Sequence, residues 1–459
     1  MKRAAVLVFA CVCLPACSRT LPQSQAPNVI LISIDTLRAD SLRVYNRAAR
    51  PHPTLDALAR RGRWFDRAYS AAPWTLPSHV SLFTGLYPDR HGVVDPRYAM
   101  GDVSSFVEKL RARGYQTVGF TDGGYLGAQY GFTRGFEVYD GWRDSDSAAP
   151  IPALPRGGKR NFDTKAGLFD RARALLQGRH DTRPLFLFVH TYAVHDYFRS
   201  WLPSKPGHTP RATPESAHEL TCLVGTAKCA PEEWHALEAK YEAGIDVLDE
   251  ALGSLLDVLD EKLDMDNTYV FVLSDHGEGF DYRRSRIHHG GRLHRDLLQV
   301  PLFVTGPGVR RGHSEEPVSL VDVAPSVLEL VGLGASGAEL DGRSLVPQLR
   351  GGKAQGKRGA VRAAEYYYYW KAGQRRKADK PSPEPLLSAS IDSRYWYVES
   401  SSGNELYDAN DRAQASPLAD LPEKHPKWNR PHGAAAAKPA AVKDTVEVYK
   451  QLRALGYIQ

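Results

Sequence analysis

Asn28-Val29-Ile30-Leu31-Ile32-Ser33-Ile34-Asp35 is an almost unbroken apolar run that ends in an acid. A run of this length, bounded by polar residues, reads as a strand buried on both faces of a parallel sheet. The same grammar returns at Leu185 to His190, at Thr268 to His276 and at Val300 to Thr305. Between the second and third runs, Tyr241, Ile245, Leu248, Leu252, Leu255 and Leu259 recur at alternating spacings of four and three, the apolar stripe of a helix. Strands alternating with helices predict an α/β fold around a mostly parallel sheet between helices. With 459 residues, 42% of them apolar and 24% charged, the chain can fill such a core. Collagen-like, coiled-coil and mainly disordered classes are excluded by the same proportions. The length suits one large α/β domain with an appendage, or two to three domains.

The ends of the chain read differently. Met1-Lys2-Arg3 is a positive n-region, and Ala4 to Leu14 is too short to span a bilayer. Leu14-Pro15-Ala16-Cys17 resembles a bacterial lipobox, which implies lipidation at Cys17 and a periplasmic or outer-membrane-anchored protein. Pro15 is unusual at its place, so a plain secretory signal is the alternative. Residues 1–16 are assigned to the leader, 17–27 to a polar tether, 28–352 to the main domain and 353–459 to a C-terminal subdomain. Cys222 and Cys229 then remain in an exported chain, where a local disulfide is expected and two free thiols are the alternative.

In the C-terminal part, Glu365-Tyr366-Tyr367-Tyr368-Tyr369-Trp370 suits a strand covering the main domain better than a sugar-stacking platform. Arg394 to Val398 and Glu405 to Asp408 read as strands of a small antiparallel sheet. Residues 409–442, rich in Ala, Pro and Lys, read as loose, and 443–459 as helix-compatible. The net charge of +6 is scattered along the chain, so nucleic acid is not an expected partner. A mildly positive protein suits an anionic substrate better. The oligomeric state is left open.

In a parallel sheet, functional groups gather beyond the carboxyl ends of the strands. Asp35 ends the first run, and Asp275-His276 ends a later one. Two acids and an imidazole brought together there would hold a divalent metal; alone, each Asp would as readily cap the next turn. Ala72-Pro73-Trp74-Thr75-Leu76-Pro77-Ser78-His79 opens a helix with Thr75 or Leu76 at the N-cap and Pro77 in the first turn. A hydroxyl at that end, facing free N–H groups and a metal, is where an anion would bind and be attacked. Neither a Gly-x-Ser-x-Gly elbow nor a Walker loop is present.

These segments, in this order, resemble the sulfatase family of the alkaline phosphatase superfamily over nearly the whole mature chain. Asn28 to Asp40 is similar to the family's first strand and metal loop, and Pro53 to Ala59 with Arg61-Gly62 to its first helix. Thr84-Gly85-Leu86-Tyr87-Pro88 and Arg90-His91-Gly92 follow its nucleophile helix. Tyr241 to Glu278 resembles the long helix and the Ser-Asp-His-Gly-Glu loop. Glu405 to Asp408 and Leu455-Gly456-Tyr457-Ile458 resemble its C-terminal subdomain.

The resemblance implies one divalent metal held by Asp35, Thr75, Asp275 and His276, with Thr75 also the nucleophile. Where many sulfatases have a second acid, this chain has Thr36, which suits Mn²⁺ or Zn²⁺ better than Ca²⁺. The resemblance also implies a substrate-contacting His195 and a His289 that binds the ester and protonates the leaving group. His79 stands where the family has arginine, and His79 and Arg38 are assigned to substrate binding. His288 and His190 are read as bystanders or supporting groups.

Sulfatases oxidise a cysteine or serine at the position of Thr75 to formylglycine. Threonine can yield only a ketone, so an enzyme-bound sulfate ester would lack its usual exit. The expectation is therefore a metal-dependent hydrolase or transferase of phosphoesters, with diesters favoured. Two alternatives remain: a sulfuric ester hydrolase acting without formylglycine, and a weakly catalytic lipoprotein that binds anionic glycans or lipid headgroups. The membrane is approached only through the lipid.

Overall fold

A computed structural model describes residues 26–141, 167–198, 230–281, 286–334, 340–354, 356, 359–366, 385–411, 414, 416–418 and 437–442. The calls at Cys17, at Cys222 and Cys229 and on residues 443–459 lie outside the described residues.

Eight strands form the central sheet: β1 (Asn28–Ile34), β2 (Arg63–Phe65), β3 (Gln116–Thr121), β4 (Val138–Asp140), β5 (Leu185–Thr191), β6 (Thr268–Leu273), β7 (Leu302–Thr305) and β8 (Gly312–Ser314). Their spatial order is β8-β2-β7-β6-β1-β5-β3-β4. The five strands from β6 to β4 run parallel, and β7 runs antiparallel to both neighbours. β1 lies at the centre, with Val29 opposite Phe186 on one side and Tyr269 on the other.

The apolar runs split by parity, as the two-residue period of a strand requires. Val29, Leu31, Phe186, Phe188, Phe271 and Leu273 enter one core; Ile30, Ile32, Ile34, Leu187, Val189, Val270 and Val272 enter the other. On the first side the sheet packs against α2 (Thr75–Thr84), α3 (Phe106–Ala112) and α6 (Val323–Leu330). On the second side lie α1 (Pro53–Arg61), α4 (Gly167–Gln177) and α5 (Pro231–Lys262). In α5 the predicted stripe Tyr241, Ile245, Leu248, Leu252, Leu255 and Leu259 is buried. Among the described residues, no helix is long and apolar enough to cross a membrane.

A separate antiparallel sheet follows: β9 (Val361–Glu365), β10 (Leu387–Ile391), β11 (Tyr395–Ser400) and β12 (Glu405–Asp408). Its inner face shares a core with Tyr69, Leu293 and Leu298, and Trp396 Nε1 donates to Leu293 O at 2.9 Å. Among the described residues of the aromatic block, Glu365 lies in the covering strand and Tyr366 follows it. On its inner face that strand places Val361 and Ala363 in the core that holds Trp396 and Tyr69, whose rings meet edge-on. The segment expected to be loose carries a short strand, Ala440–Ala441, paired with Tyr98–Ala99.

Behind α2, His91 is fully buried and used at both nitrogens. Its Nδ1 accepts from Val93 N–H at 3.0 Å, so Nε2 carries the proton and donates to Ser81 Oγ at 3.0 Å. Burial lowers its pKa to about 3, against a smaller opposing effect of the Pro77 carbonyl. The unfolded chain protonates near pH 6.5, so stability from this group is lost progressively as pH falls from about 6.5 toward 3. The whole loss is on the order of a few kcal/mol. Urea unfolding between pH 7 and pH 4 is expected to show a shallower loss in His91→Gln than in the wild type. Parallel pH profiles would overturn the assignment.

Candidate active site

The carboxyl ends of β1 and β6 bring their two acids together. Asp35 follows β1, with its N–H donated to Thr191 O at 3.0 Å. The next residue, Thr36, has φ +61°, a left-handed conformation that a β-branched residue rarely adopts. Thr36 Oγ1 donates to Asp35 O at 2.7 Å and Tyr241 O–H to Thr36 O at 2.9 Å, which hold the turn closed. Beyond β6, Ser274 Oγ lies within donating distance of both Ile34 O and His276 O, its one proton serving either, and Ser78 Oγ donates to Asp275 O at 2.7 Å. The head of α2 is thereby tied to the Asp-His loop.

Thr75 is the first helical residue of α2. The N-cap is Trp74, with extended backbone and no side-chain cap, so the predicted capping role belongs one residue earlier. The Thr75 hydroxyl is therefore not engaged with its own helix end. Its Oγ1 lies 3.2 Å from Asp35 Oδ2 and 3.3 Å from His276 Nε2. His276 Nε2 is 3.7 Å from Asp35 Oδ1 and 3.5 Å from Asp275 Oδ2. A tetrahedral ion with ligands roughly 2.0–2.1 Å away would place them roughly 3.3 Å apart, close to these edges.

Three observations test whether a cation fits. His276 Nδ1 faces Gly277 O at 2.9 Å, and a carbonyl only accepts, so Nδ1 carries the proton and Nε2 turns a lone pair inward. Asp35 Oδ1 and Asp275 Oδ2 are buried with no hydrogen-bond partner among the described residues. The threonine proton can answer only one of these acceptors. Burial and the charge of Asp35 push Asp275 well above the carboxylate range. Burial also pushes Asp35 up, but the charge of His195 and a hydrogen bond with His190 lead the effects that outweigh it and hold Asp35 low. Inward lone pairs and facing acids fit a divalent metal, as does the mixed oxygen and nitrogen donor set.

The histidines divide. His195 and His289 border the site: the His289 ring lies 4.6 Å from the His276 ring, tilted by 40°, and His195 lies 5.3 Å from His289. His195 Nδ1 pairs with Asp196 Oδ1 at 3.0 Å. Burial lowers its pKa, but the charge of Asp35, with the hydrogen bond and charge of Asp196, raises it above the ordinary value. His289 Nδ1 pairs with Glu278 Oε2 at 3.1 Å; burial and the neighbouring His288 push its pKa well down.

His79 does not fill the substrate-binding role expected of it. It is fully buried, with Nε2 on Ser33 Oγ at 2.9 Å and Nδ1 on Thr75 O at 3.0 Å. Those bonds use both nitrogens, and burial, reinforced by His190, holds the ring neutral. Arg38 is also committed: Nε and Nη2 hold Asp40 at 2.8 and 2.7 Å, and Nη1 donates to Glu278 O at 3.0 Å.

Of the two readings for His190 and His288, the contacts are those of supporting groups. His190 Nε2 reaches to 3.4 Å from Asp35 Oδ2, and His288 joins Glu278 and His289. Sequence reasoning gave no role to Glu278 beyond its motif. Its signal was position: it follows the Asp-His pair by two residues in the same loop.

Residues 27–333 match the family model described as "Sulfatase". A sulfatase of Formosa agariphila is 23% identical over 458 residues, covering 88% of this chain and 87% of its own. A choline-sulfatase of Rhizobium meliloti is 24% identical over 369 residues, covering 71% and 72%. A multifunctional alkaline phosphatase superfamily protein of Trinickia caryophylli is 27% identical over 404 residues, covering 71% and 77%. Among solved structures, the phosphonate monoester hydrolase of Agrobacterium radiobacter shares the fold at a TM-score of 0.63 and 22% identity, covering 83% of this chain and 89% of that one.

Proposed function

The chain belongs to the sulfatase family, a family of metal-dependent ester hydrolases, and on that premise we propose that it cleaves phosphodiesters with Thr75 as the nucleophile. The observation that carries this reading is the placement of Thr75 Oγ1 between Asp35 and His276 at the head of α2. As Oγ1 bonds to phosphorus its proton passes to Asp35 Oδ2, 3.2 Å away, and the bond from phosphorus to the leaving oxygen breaks. His195, oriented by Asp196 and held above its ordinary pKa, supplies a proton to that oxygen. Water then attacks phosphorus and restores the threonine. A bound divalent cation would lower the hydroxyl's pKa and balance charge on the phosphoryl oxygens. Asp35, Asp275, His276 and Thr75 would hold it, with Zn²⁺ or Mn²⁺ the ions proposed.

Charge supports a monoanionic ester. His79 is neutral, and the nearby guanidiniums of Arg38 and Arg292 are paired with Asp40 and Asp296. Few fixed positive groups are left to balance a dianion. A phosphonate monoester carries the same single charge as a phosphodiester, and a phosphonate monoester hydrolase shares the fold. A sulfate ester is also a monoanion, so charge alone admits it. Threonine separates the two: water attacks readily at phosphorus under metal assistance but slowly at sulfur, and the carbon–oxygen exit of formylglycine is missing. The same proposal includes export, with a lipid tether at Cys17 as the only membrane attachment.

The test is one panel: p-nitrophenyl sulfate, phosphate monoester and a phosphodiester, each with Zn²⁺ or Mn²⁺. The diester is expected to exceed both others in kcat/KM by about tenfold or more, ~1.4 kcal/mol of transition-state discrimination. Preferred cleavage of the sulfate ester would establish sulfatase chemistry without formylglycine instead. No cleavage of any of the three by the metal-loaded protein would leave the anion-binding reading.

A further inference from the structure

Beside the Asp-His pair lies a second convergence of donors. Glu278, His288 and His289 are 0, 4 and 4% exposed. His288 Nδ1 stands 2.8 Å from His289 Nδ1; Glu278 Oε2 is 3.1 Å from His289 Nδ1 and 3.5 Å from His288 Nδ1. Protons cannot satisfy this triangle. With a proton on both nitrogens, two N–H bonds meet head to head across 2.8 Å. With a proton on one, the other nitrogen turns a lone pair toward the carboxylate oxygen. With none, three lone pairs converge. With the carboxylate ionised, every placement of the imidazole protons leaves a repulsive edge, whereas a cation at the centre makes all three attractive.

The backbone is arranged for that convergence. Adjacent side chains on a strand point to opposite faces. His288 instead adopts φ +57°, and this turns its ring and that of His289 toward one carboxylate, the rings 4.0 Å apart and nearly perpendicular. Such a conformation is strained for histidine. It is held by His288 N–H donating to Gly279 O at 2.9 Å and by Arg292 Nη1 donating to His288 O at 2.9 Å.

We propose that Glu278, His288 and His289 form a second divalent-cation site, adjacent to that of Asp35, Thr75, Asp275 and His276. Two imidazoles and one carboxylate suit Zn²⁺ or Co²⁺ better than Mg²⁺ or Ca²⁺, and three protein ligands leave a position for water or substrate. The assignment gives His289 a holding role through Nδ1, leaving His195 as the proton donor to the leaving group.

The experiment is metal content per chain for the full mature protein loaded with Zn²⁺ and dialysed, repeated with Co²⁺ for its ligand-field absorption. Two equivalents are expected in the wild type. His288→Gly suits the left-handed backbone, so it removes the ligand without asking the loop to refold, and it is expected to retain one equivalent. Glu278→Gln and Asp275→Asn are each expected to lose one, with distinct Co²⁺ spectra for the site that remains. One equivalent or none in the wild type would overturn the proposal, as would two equivalents retained by His288→Gly. The count is indifferent to the ester cleaved, so its failure and that of the phosphodiester reading are told apart.

Discussion

Thr75→Ala is expected to lower phosphodiester turnover by about 10³-fold or more, while Thr75→Ser keeps most of it. The loss falls on the site and not on the fold, because the hydroxyl caps nothing; it combines nucleophilic attack with a ligand's share in holding the cation. Thr75 Oγ1 touches Asp35 and His276 and makes no capping bond to α2. Alanine is at least as good a helix former as threonine, so the first turn of α2 is not weakened. Removing a hydroxyl from among acceptors costs one donor, and the metal-free variant should melt within a few degrees of the wild type. Single-turnover assays add a sharper readout. The wild type should release its first equivalent of p-nitrophenol before the threonyl ester hydrolyses, and alanine should show no such burst. An alanine variant within tenfold of the wild type would mean that water attacks the substrate directly, and Thr75 would then be a ligand only.

The strands and the candidate metal ligands were legible for one physical reason. A strand buried on both faces must be apolar along its whole length, so the first polar residue after it marks the edge of the sheet where function gathers. Asp35 is such a residue; Asp275 and His276 come directly after Ser274, the first polar residue beyond β6, and the structure brings all three together with Thr75. Side-chain direction at a helix head or in a turn carries no such mark. His79 is four residues from Thr75, one turn on, and its ring folds back to the Thr75 carbonyl, into the wall of the sheet. His190 belongs to the all-buried run of β5, where periodicity cannot say which histidine faces an acid. His288 joins the site through a left-handed backbone angle that composition does not encode. In the C-terminal sheet, bulky aromatics drew attention to residues 365–370, but the described strand is Val361–Glu365, which reaches the core around Trp396 through Val361 and Ala363.

Asp275→Asn is expected to change stability and activity in opposite directions. In the metal-free protein two fully buried carboxylates face one another, with His276 presenting a lone pair between them. Burial and the Asp35 charge make ionising Asp275 costly, as its raised pKa records. Asparagine keeps the oxygen that accepts from His276 N–H at 3.0 Å and puts an N–H₂ donor where Oδ2 meets His276 Nε2 at 3.5 Å. One facing charge disappears and one orphaned acceptor gains a donor, so the metal-free variant should be more stable by about 1–3 kcal/mol. With metal the order reverses. A ligand that binds only the folded state stabilises it by RT ln(1 + [L]/Kd), and the variant has lost a charged ligand, so saturating Zn²⁺ should raise its Tm by less than that of the wild type. Turnover should fall by about 10³-fold, because the cation that lowers the Thr75 pKa is no longer held in place. The check is Tm with EDTA and with Zn²⁺ for both proteins, beside the diester assay. An asparagine variant that melts lower than the wild type in EDTA would mean that Asp275 is satisfied without a cation, and the site would be a hydrogen-bonded core instead of a metal centre.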